Sequence, residues 1–409
     1  MLKAFKYRLY PTAEQAEFFA KSFGCCRFVY NRTLDHLSMF WIGERRSLGR
    51  YDAQAQIPML KECYPWLDEV NSQSLQYAVK QCADGFRNWW QHRARHPLPK
   101  RRHARNSFHN PQHCSVDWKR SLLSIPKCKD IPIRLHRSFY GTVKDVTISL
   151  EPDGRYYASI LVDTAQQPAA KRPVCEETAV GLDTGVHTFI VGSNGRRYAS
   201  GHFSGAEAKR LRHYQRSLRH MERGSVNWCR TQKHIARIHS KVSNRRLDYL
   251  HKVTYELTHD SQVGTFCIED LDVREWMRHR QLAYDAADVS VGRFYEMLRY
   301  KCEWYGVNLL TVSRWAPSSK TCSVCGAVNR SLRLGQRSWV CGCCGTRHDR
   351  DYNASLNIKS FGLMALPSGG GEVTPADCRA VDDRRKSGLR SSGRERQEKF
   401  RSATDAPVL

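Results

Sequence analysis

Residues 2–10, LKAFKYRLY, place apolar side chains on alternate positions with basic ones between, the two-residue period of a half-buried strand. The period changes at Pro11. Thr12 and Gln15 are spaced as a capping box, and apolar residues in EQAEFFAKSFGCCRFVYNRTLDH recur at helical intervals. A second helical pattern runs from Ser72 to Trp90, where Leu75, Val79, Phe86 and Trp90 form one stripe that reads as core packing. Between Gln91 and Phe108 the pattern fails: QHRARHPLPKRRHARNSF is a basic loop broken by prolines. DVTISL and YYASILVD then flank Glu151-Pro152-Asp153-Gly154, the signature of a hairpin. The N-terminal strand is expected in the same sheet, which makes the intervening helices an insertion into a small β-domain.

A new domain opens near Thr178, where TAVGLDTGVHTFIVGSNGRRYA reads as strand, tight turn, strand, Asn-Gly turn and strand. From Ala206 to Thr258 the pattern is helical and dense in Lys and Arg, with Gly224-Ser225 dividing it into a helical hairpin. GTFCIEDL is a buried strand ending in acids, FYEMLRYKCEWYG a helix stopped by Gly306, and NLLTV a further short strand. No repeat of fixed period runs through the chain, which argues against a solenoid. Past Leu366 apolar anchors become sparse, and this tail is expected to be disordered.

Composition adds a partner to this outline. The 409 residues are 41% hydrophobic, material for two or three cores. Lys and Arg number 66 against 40 Asp and Glu, a formal net charge of +26 that repels itself unless a polyanion is near. Nucleic acid is the obvious counter-ion. Candidates for phosphate contact are Arg95, Lys100, Arg101 and Arg102 in the basic loop, and Lys209, Arg210, Arg216, Arg237, Lys241 and Arg245 in the helical hairpin. No apolar stretch is long enough to span a bilayer and the N-terminus lacks a signal-peptide core, so the chain is read as cytoplasmic, without a membrane partner. Most of the 16 cysteines are then expected to be buried thiols, Cys25, Cys26, Cys63, Cys82, Cys267 and Cys302 among them.

One cysteine cluster departs from that reading. Cys322-Ser-Val-Cys325 is followed after fifteen residues by Cys341-Gly-Cys-Cys344, the spacing of a four-thiolate zinc site. Gly326 and Gly345 directly follow the second cysteine of each pair and permit the knuckle that aims amides at sulfur. Cys343 is a fifth thiol that allows another register; Cys341 and Cys344 are preferred because they mirror the first pair. Such a site is closed and structural, since ~30 residues make no core alone. It would set Arg330, Arg333, Arg337 and Trp339 against a nucleic acid.

Three acids stand at the ends of apolar segments: Asp183 in VGLDTGV, Glu269 in FCIEDL, and Asp351 at the start of the helix in HDRDYNASLNI. RNase H-like domains carry one acid on the first strand, one on a later central strand and one on the last helix. Three carboxylates so arranged hold two Mg²⁺ ions ~3.5 to 4 Å apart, which activate water and stabilise the leaving oxygen in phosphodiester cleavage. Singly, each acid is weak evidence, since a lone Asp at a strand end is more often a cap or ion-pair partner. Asp270, Asp272 and Asp349 compete, and the residues themselves leave Glu269 and Asp270 undecided. Asp183-Thr-Gly also matches the phosphate-gripping turn of sugar kinases and actin-like ATPases, but the second glycine-rich phosphate loop those folds need is missing from the sequence.

KYRLYPTAEQ, RFVYNRTL, GLDTGV, IEDL, APSSKTCSVCG and WVCGCCGTRHDRDYNASLNI, in this order over residues 1–360, resemble TnpB, the transposon-encoded RNA-guided DNA endonucleases ancestral to type V CRISPR effectors. The resemblance implies an α+β multidomain fold. A β-barrel wedge domain (1–11 and 112–175) would be split by a helical recognition domain (12–111). An RNase H-like (RuvC) α/β nuclease domain (176–316 and 346–366) would carry an inserted zinc ribbon (317–345) that binds target nucleic acid, with the tail at 367–409. By motif match the resemblance makes Asp183, Glu269 and Asp351 the catalytic magnesium ligands, against Asp270 and Asp349. It also implies two catalytic Mg²⁺, one structural Zn²⁺, a guide RNA from the transposon end, a double-stranded DNA target cut beside a short motif, and a monomer holding one RNA. His187 stands where a Lys is frequent, and Cys343 is a spare thiol; neither removes an acid. Relatives that lost their acids act as guided DNA-binding repressors, so the alternative is a non-cutting regulator or transposition accessory factor, against which the intact trio argues. A DNA-joining transposase also uses three acids, and independence from a guide would identify it.

Overall fold

The alternating N-terminus forms β1 (Leu2–Leu9), which buries Tyr7 and Leu9. Past Pro11 the Thr12 amide donates to the Gln15 side chain at 3.0 Å and the Gln15 amide to the Thr12 hydroxyl at 3.3 Å. This reciprocal cap starts α1 (Ala13–Glu44). Two short helices, α2 (Arg50–Gln54) and α3 (Ile57–Cys63), lead to α4 (Ser72–Trp90), which buries Leu75, Val79 and Phe86 and half-buries Trp90. Cys25, Cys26 and Cys82 are buried as expected, but Cys63 is exposed because it ends a short surface helix. The computed structural model describes residues 1–44, 49–102, 106–278, 283–333 and 335–365; the tail expected to be disordered lies outside them.

Six further strands join β1: β2 (Asn106–Asn110), β3 (Ser115–Asp117), β4 (Leu122–Ile125), β5 (Cys128–Arg134), β6 (Thr142–Leu150) and β7 (Tyr156–Asp163). Their order is β2-β6-β7-β1-β5-β4-β3. The β6–β7 hairpin turns through Gly154 at φ 82°, and β7 runs antiparallel to β1 from Leu2 opposite Asp163 to Leu9 opposite Tyr156. The first four helices are therefore inserted between β1 and the rest of its sheet. Two details differ from expectation. β2 is a sheet strand inside the stretch assigned to helices, and among the described residues the ladder ends at β2 and β3 instead of closing into a barrel. Two more helices, α5 (Gly205–Arg219) and α6 (Val226–His259), are separated by a turn in which Gly224 adopts φ 93°. Residues 1–168 and 203–245 form one compact unit; the division falls within α6.

The second unit comprises residues 169–202 and those from 246 onward. Its sheet contains β8 (Ala179–Thr184), β9 (Thr188–Gly192), β10 (Arg197–Ala199), β11 (Thr265–Glu269) and β12 (Asn308–Val312), in the order β10-β9-β8-β11-β12. The first three strands are antiparallel neighbours, while β11 runs parallel to both β8 and β12. Helices α7 (Val273–Arg278), α8 (Ala283–Val289) and α9 (Val291–Tyr305) follow β11 and precede β12. Alternation divides the sheet into two faces. Val180, Leu182, Phe266 and Ile268 pack with Leu250 and Val253 of α6 and with Phe294 and Leu298 of α9. Cys267, Leu310 and Val312 pack instead with Ile358 of α10 (Arg350–Met364). Gly181 faces α10 so closely that a Cβ there would lie 2.1 Å from the Ser355 carbonyl oxygen. Between β12 and α10 the chain forms a small ribbon with the hairpin β13 (Ser338–Val340) and β14 (Arg347–Asp349). Among the described residues no helix is long and apolar enough to cross a membrane.

Candidate metal centre and acid cluster

The sulfurs of Cys322, Cys325, Cys341 and Cys344 lie within 4.8 Å of one another, with Cys322–Cys344 at 3.7 Å and Cys325–Cys341 at 3.6 Å. Tetrahedral zinc with ~2.3 Å bonds to sulfur separates its ligands by about 3.8 Å, so the cluster fits a structural zinc site. The two knuckles repeat one geometry. Gly326 and Gly345, at φ 76° and 70°, donate their amides to the carbonyls of Cys322 and Cys341, each at 2.9 Å. Cys343 is exposed and stands outside the cluster.

Trp339, expected to face a nucleic acid, is instead core. It is 4% exposed and packs with Cys322, Leu332 and Cys341, because so small a ribbon has few other apolar residues to bury. Arg330 and Arg333 are exposed. His348 went unread in the sequence although it is buried, with Nε2 3.1 Å from the Cys322 sulfur and its ring 4.7 Å from that of Trp339. Its signal was the two-residue period of β14, where exposed Arg347 and Asp349 flank it.

In the β8–β11 register Leu182 lies opposite Ile268, so the next residues, Asp183 and Glu269, stand near the C-terminal ends of adjoining parallel strands. Alternation turns both toward the face covered by α10, along with Gly181 and Cys267. Asp351 lies in the first turn of α10. Burial, then the charges of Glu269 and Asp351, push the Asp183 carboxyl well above the usual carboxylate range, while Arg350 and Arg337 pull it back. Burial also raises Glu269, and a hydrogen bond from the Ser318 hydroxyl to its Oε1 opposes that rise. Arg337 Nη1 stands 3.6 Å from the Asp351 carboxylate.

The competing acids have other partners. Asp270 is bonded to the Arg314 guanidinium, and Asp272 stands 3.7 Å from the same group. Asp349 caps α10 by accepting from the Tyr352 amide at 2.9 Å and lies 3.3 Å from Arg197. Two asparagines of α10 escaped the sequence reading. Asn353 Nδ2 donates to the Thr321 carbonyl at 2.7 Å, and Asn357 Nδ2 to the Ser318 and Thr321 carbonyls, both at 2.7 Å. Their four-residue spacing among Ala354 and Ile358 was the available signal.

Of the basic candidates, Arg95, Arg101, Arg102, Lys209, Arg216 and Arg237 are exposed. Lys100 is not free: its ammonium lies 2.8 Å from Gln81 and 4.1 Å above the Tyr30 ring, and burial lowers its pKa. Arg210, Lys241 and Arg245 converge on buried Glu207 at 3.3, 2.6 and 3.8 Å.

Three family models match the chain: a helix-turn-helix domain over residues 1–39, "Probable transposase" over 159–280, and a Cas12f1-like TNB domain over 292–358. The first covers β1 and most of the single long helix α1. A Streptomyces pristinaespiralis protein named "Putative RNA-guided DNA endonuclease" is 34% identical over 374 residues, 90% of this chain and 91% of its own. "Putative RNA-guided DNA endonuclease InsQ" of Escherichia coli K12 is 30% identical over 389 residues, covering 90% and 94%. In fold, the chain is similar to Cas12f1 in its complex with sgRNA and target DNA, at TM-score 0.57 and 16% identity over 88% of this chain and 98% of that one. That likeness is a multidomain α+β architecture, and with one-third identity to a relative across nine-tenths of both lengths, the chain belongs to the TnpB family of the IS605 OrfB type.

Proposed function

We propose that this chain is an RNA-guided DNA endonuclease of an insertion-sequence transposon, cutting DNA beside a short adjacent motif with Asp183, Glu269 and Asp351. The observation that carries the reading is that Asp183 and Glu269 stand near the C-terminal ends of adjoining parallel strands on the face covered by α10, with Asp351 in that helix's first turn. The strand order, three antiparallel neighbours followed by two strands parallel to the first, supports an RNase H-like (RuvC) reading of this unit. The names of the relatives and the guide RNA and target DNA in the Cas12f1 complex support the proposed activity.

Three carboxylates are hard oxygen donors suited to magnesium. Two ions ~3.5 to 4 Å apart are the arrangement that three such acids would hold in phosphodiester cleavage. Magnesium bound there would supply an activated water and charge stabilisation at the scissile phosphate. The chain's own part is positional. Asp183 is held where its negative charge is disfavoured without a cation, Glu269 is held by Ser318, and Arg337 stands beside Asp351. Arg330, Arg333 and the exposed arginines and lysine of the first unit would grip phosphates, leaving sequence to base pairing between guide and target. One protein is proposed to hold one RNA in the cytosol.

The test is Asp183→Ala, purified with its RNA. It should bind RNA and matched DNA as the parent does and show no cutting; cleavage at the parental rate would overturn the acid assignment. A guided regulator that binds without cutting would behave like this variant even with its acids intact.

A further inference from the structure

Glu269 is not held by its strand alone. Its Oε1 accepts a hydrogen bond from the hydroxyl of Ser318, a residue 5% exposed in the segment joining β12 to the first zinc knuckle. That segment is tightly folded. The Ser318 amide donates to the Ala316 carbonyl at 2.8 Å, and the amides of Lys320 and Thr321 donate to Pro317 at 3.1 and 3.0 Å. The Ser318 carbonyl accepts from Asn357 at 2.7 Å. Thr321, beside the zinc ligand Cys322, accepts from both Asn353 and Asn357. A serine hydroxyl has one hydrogen to donate, and here it goes to a carboxylate. The bond fixes Oε1 and therefore the direction in which Oε2 points.

We propose that Ser318 is a positioning residue for the nuclease reaction, aiming the Glu269 carboxylate toward Asp183 and Asp351 and taking its own position from α10 through Asn357. The inference rests on the reading of Glu269 as a magnesium ligand. Partners that orient a ligand in this way change metal affinity or activity by about 10- to 100-fold when removed. The bond does a second thing: it ties the aim of an acid on β11 to the loop that enters the ribbon, so one short segment serves both sites.

The experiment compares Ser318→Ala, Ser318→Thr and Glu269→Ala as full-length protein–RNA complexes. Single-turnover cleavage is followed across a Mg²⁺ titration. Mn²⁺ binding is followed by electron paramagnetic resonance, with the Asp183→Ala complex giving the background of RNA-bound ions. Ser318→Ala should need about 10- to 100-fold more Mg²⁺ for half-maximal rate, bind Mn²⁺ more weakly, and keep parental affinity for RNA and target. Ser318→Thr, which keeps the hydroxyl, should restore both readouts. If Ser318→Ala does not fold, Ser318→Cys, close in size and a poorer donor, carries the same expectation. A parental Mg²⁺ titration in Ser318→Ala with Glu269→Ala inactive overturns the positioning role and leaves the nuclease reading intact. Equal loss at every Mg²⁺ concentration, unrestored by threonine, also overturns it in favour of packing. Parental cutting by Glu269→Ala overturns the nuclease reading itself.

Discussion

Replacing Gly181 by alanine tests whether the closeness of α10 to β8 sets the acid geometry. A Cβ at this position would lie 2.1 Å from the Ser355 carbonyl oxygen, 2.6 Å from the Lys359 amide nitrogen and 3.0 Å from the Lys359 Cβ. The two nearest atoms are backbone, so no rotamer change relieves the overlap. Ordinary contact begins at 3.4 Å, a shortfall that requires the helix to withdraw by about 1 Å. Overpacking of this kind costs about 1–3 kcal/mol, which lowers the melting temperature by several degrees in a domain of this size. The larger effect falls on the chemistry. Asp351 lies one helical turn before Ser355, so it withdraws with the helix, and a displacement of ~1 Å costs about 10²-fold in rate. Melting curves and single-turnover cleavage by the assembled complex at a temperature where both proteins are folded provide the assay. The expected result is a hundredfold slower cut with RNA and target binding retained. Parental cutting by a variant that melts several degrees lower would refute the link between helix position and acid geometry, and an unchanged melting curve would refute the overlap itself.

Metal analysis should find one zinc per chain in the parent and in Cys343→Ser and none in Cys344→Ser; the reverse pattern would exchange the ligand register of the second knuckle. Asp183 gives a pH signature. Its folded-state pKa is raised above the ordinary 3.8, so the stability linked to its protonated form is complete below that value and is lost as pH rises through the raised one. In chelator, Asp183→Asn should therefore melt above the parent at alkaline pH, with the gap closing toward acid; a gap independent of pH would count against the raised pKa.

The legible parts of the sequence were those with a local cause. Period two gave β1 and the β6–β7 hairpin, the Thr12–Gln15 pair marked the start of α1, and Gly224 marked the break between α5 and α6. β3, of three residues, and β4, of four, are too short to establish a period. Burial of single residues was less legible. Cys63 and Trp339 were assigned by residue type, whereas the end of a short helix exposes one and the poverty of the ribbon's core buries the other. Lys100 reads as part of a basic run offered to phosphate, yet its ammonium meets Gln81 and Tyr30.

At the acid cluster the distinction between Glu269 and Asp270 lies in parity. Glu269 shares a strand face with Cys267, which packs under α10, while Asp270 falls beyond the strand and finds Arg314. Parity is written in the sequence, but the identity of the face covered by α10 is not, because it depends on the pairing of β8 with β11. The loop at 317–321 is more hidden still. Asn353 and Asn357 bind backbone carbonyls, which every residue carries, so nothing in the side chains of Ser318 or Thr321 announces those bonds. The signal exists only on the donor side, as two buried amides on an otherwise apolar helix face that must find acceptors somewhere. It follows that the exposed side chain of Lys320 can vary without moving this segment, whereas the Thr321 hydroxyl, which donates to the Pro317 carbonyl at 2.8 Å, and the Ser318 hydroxyl, which meets Glu269, cannot.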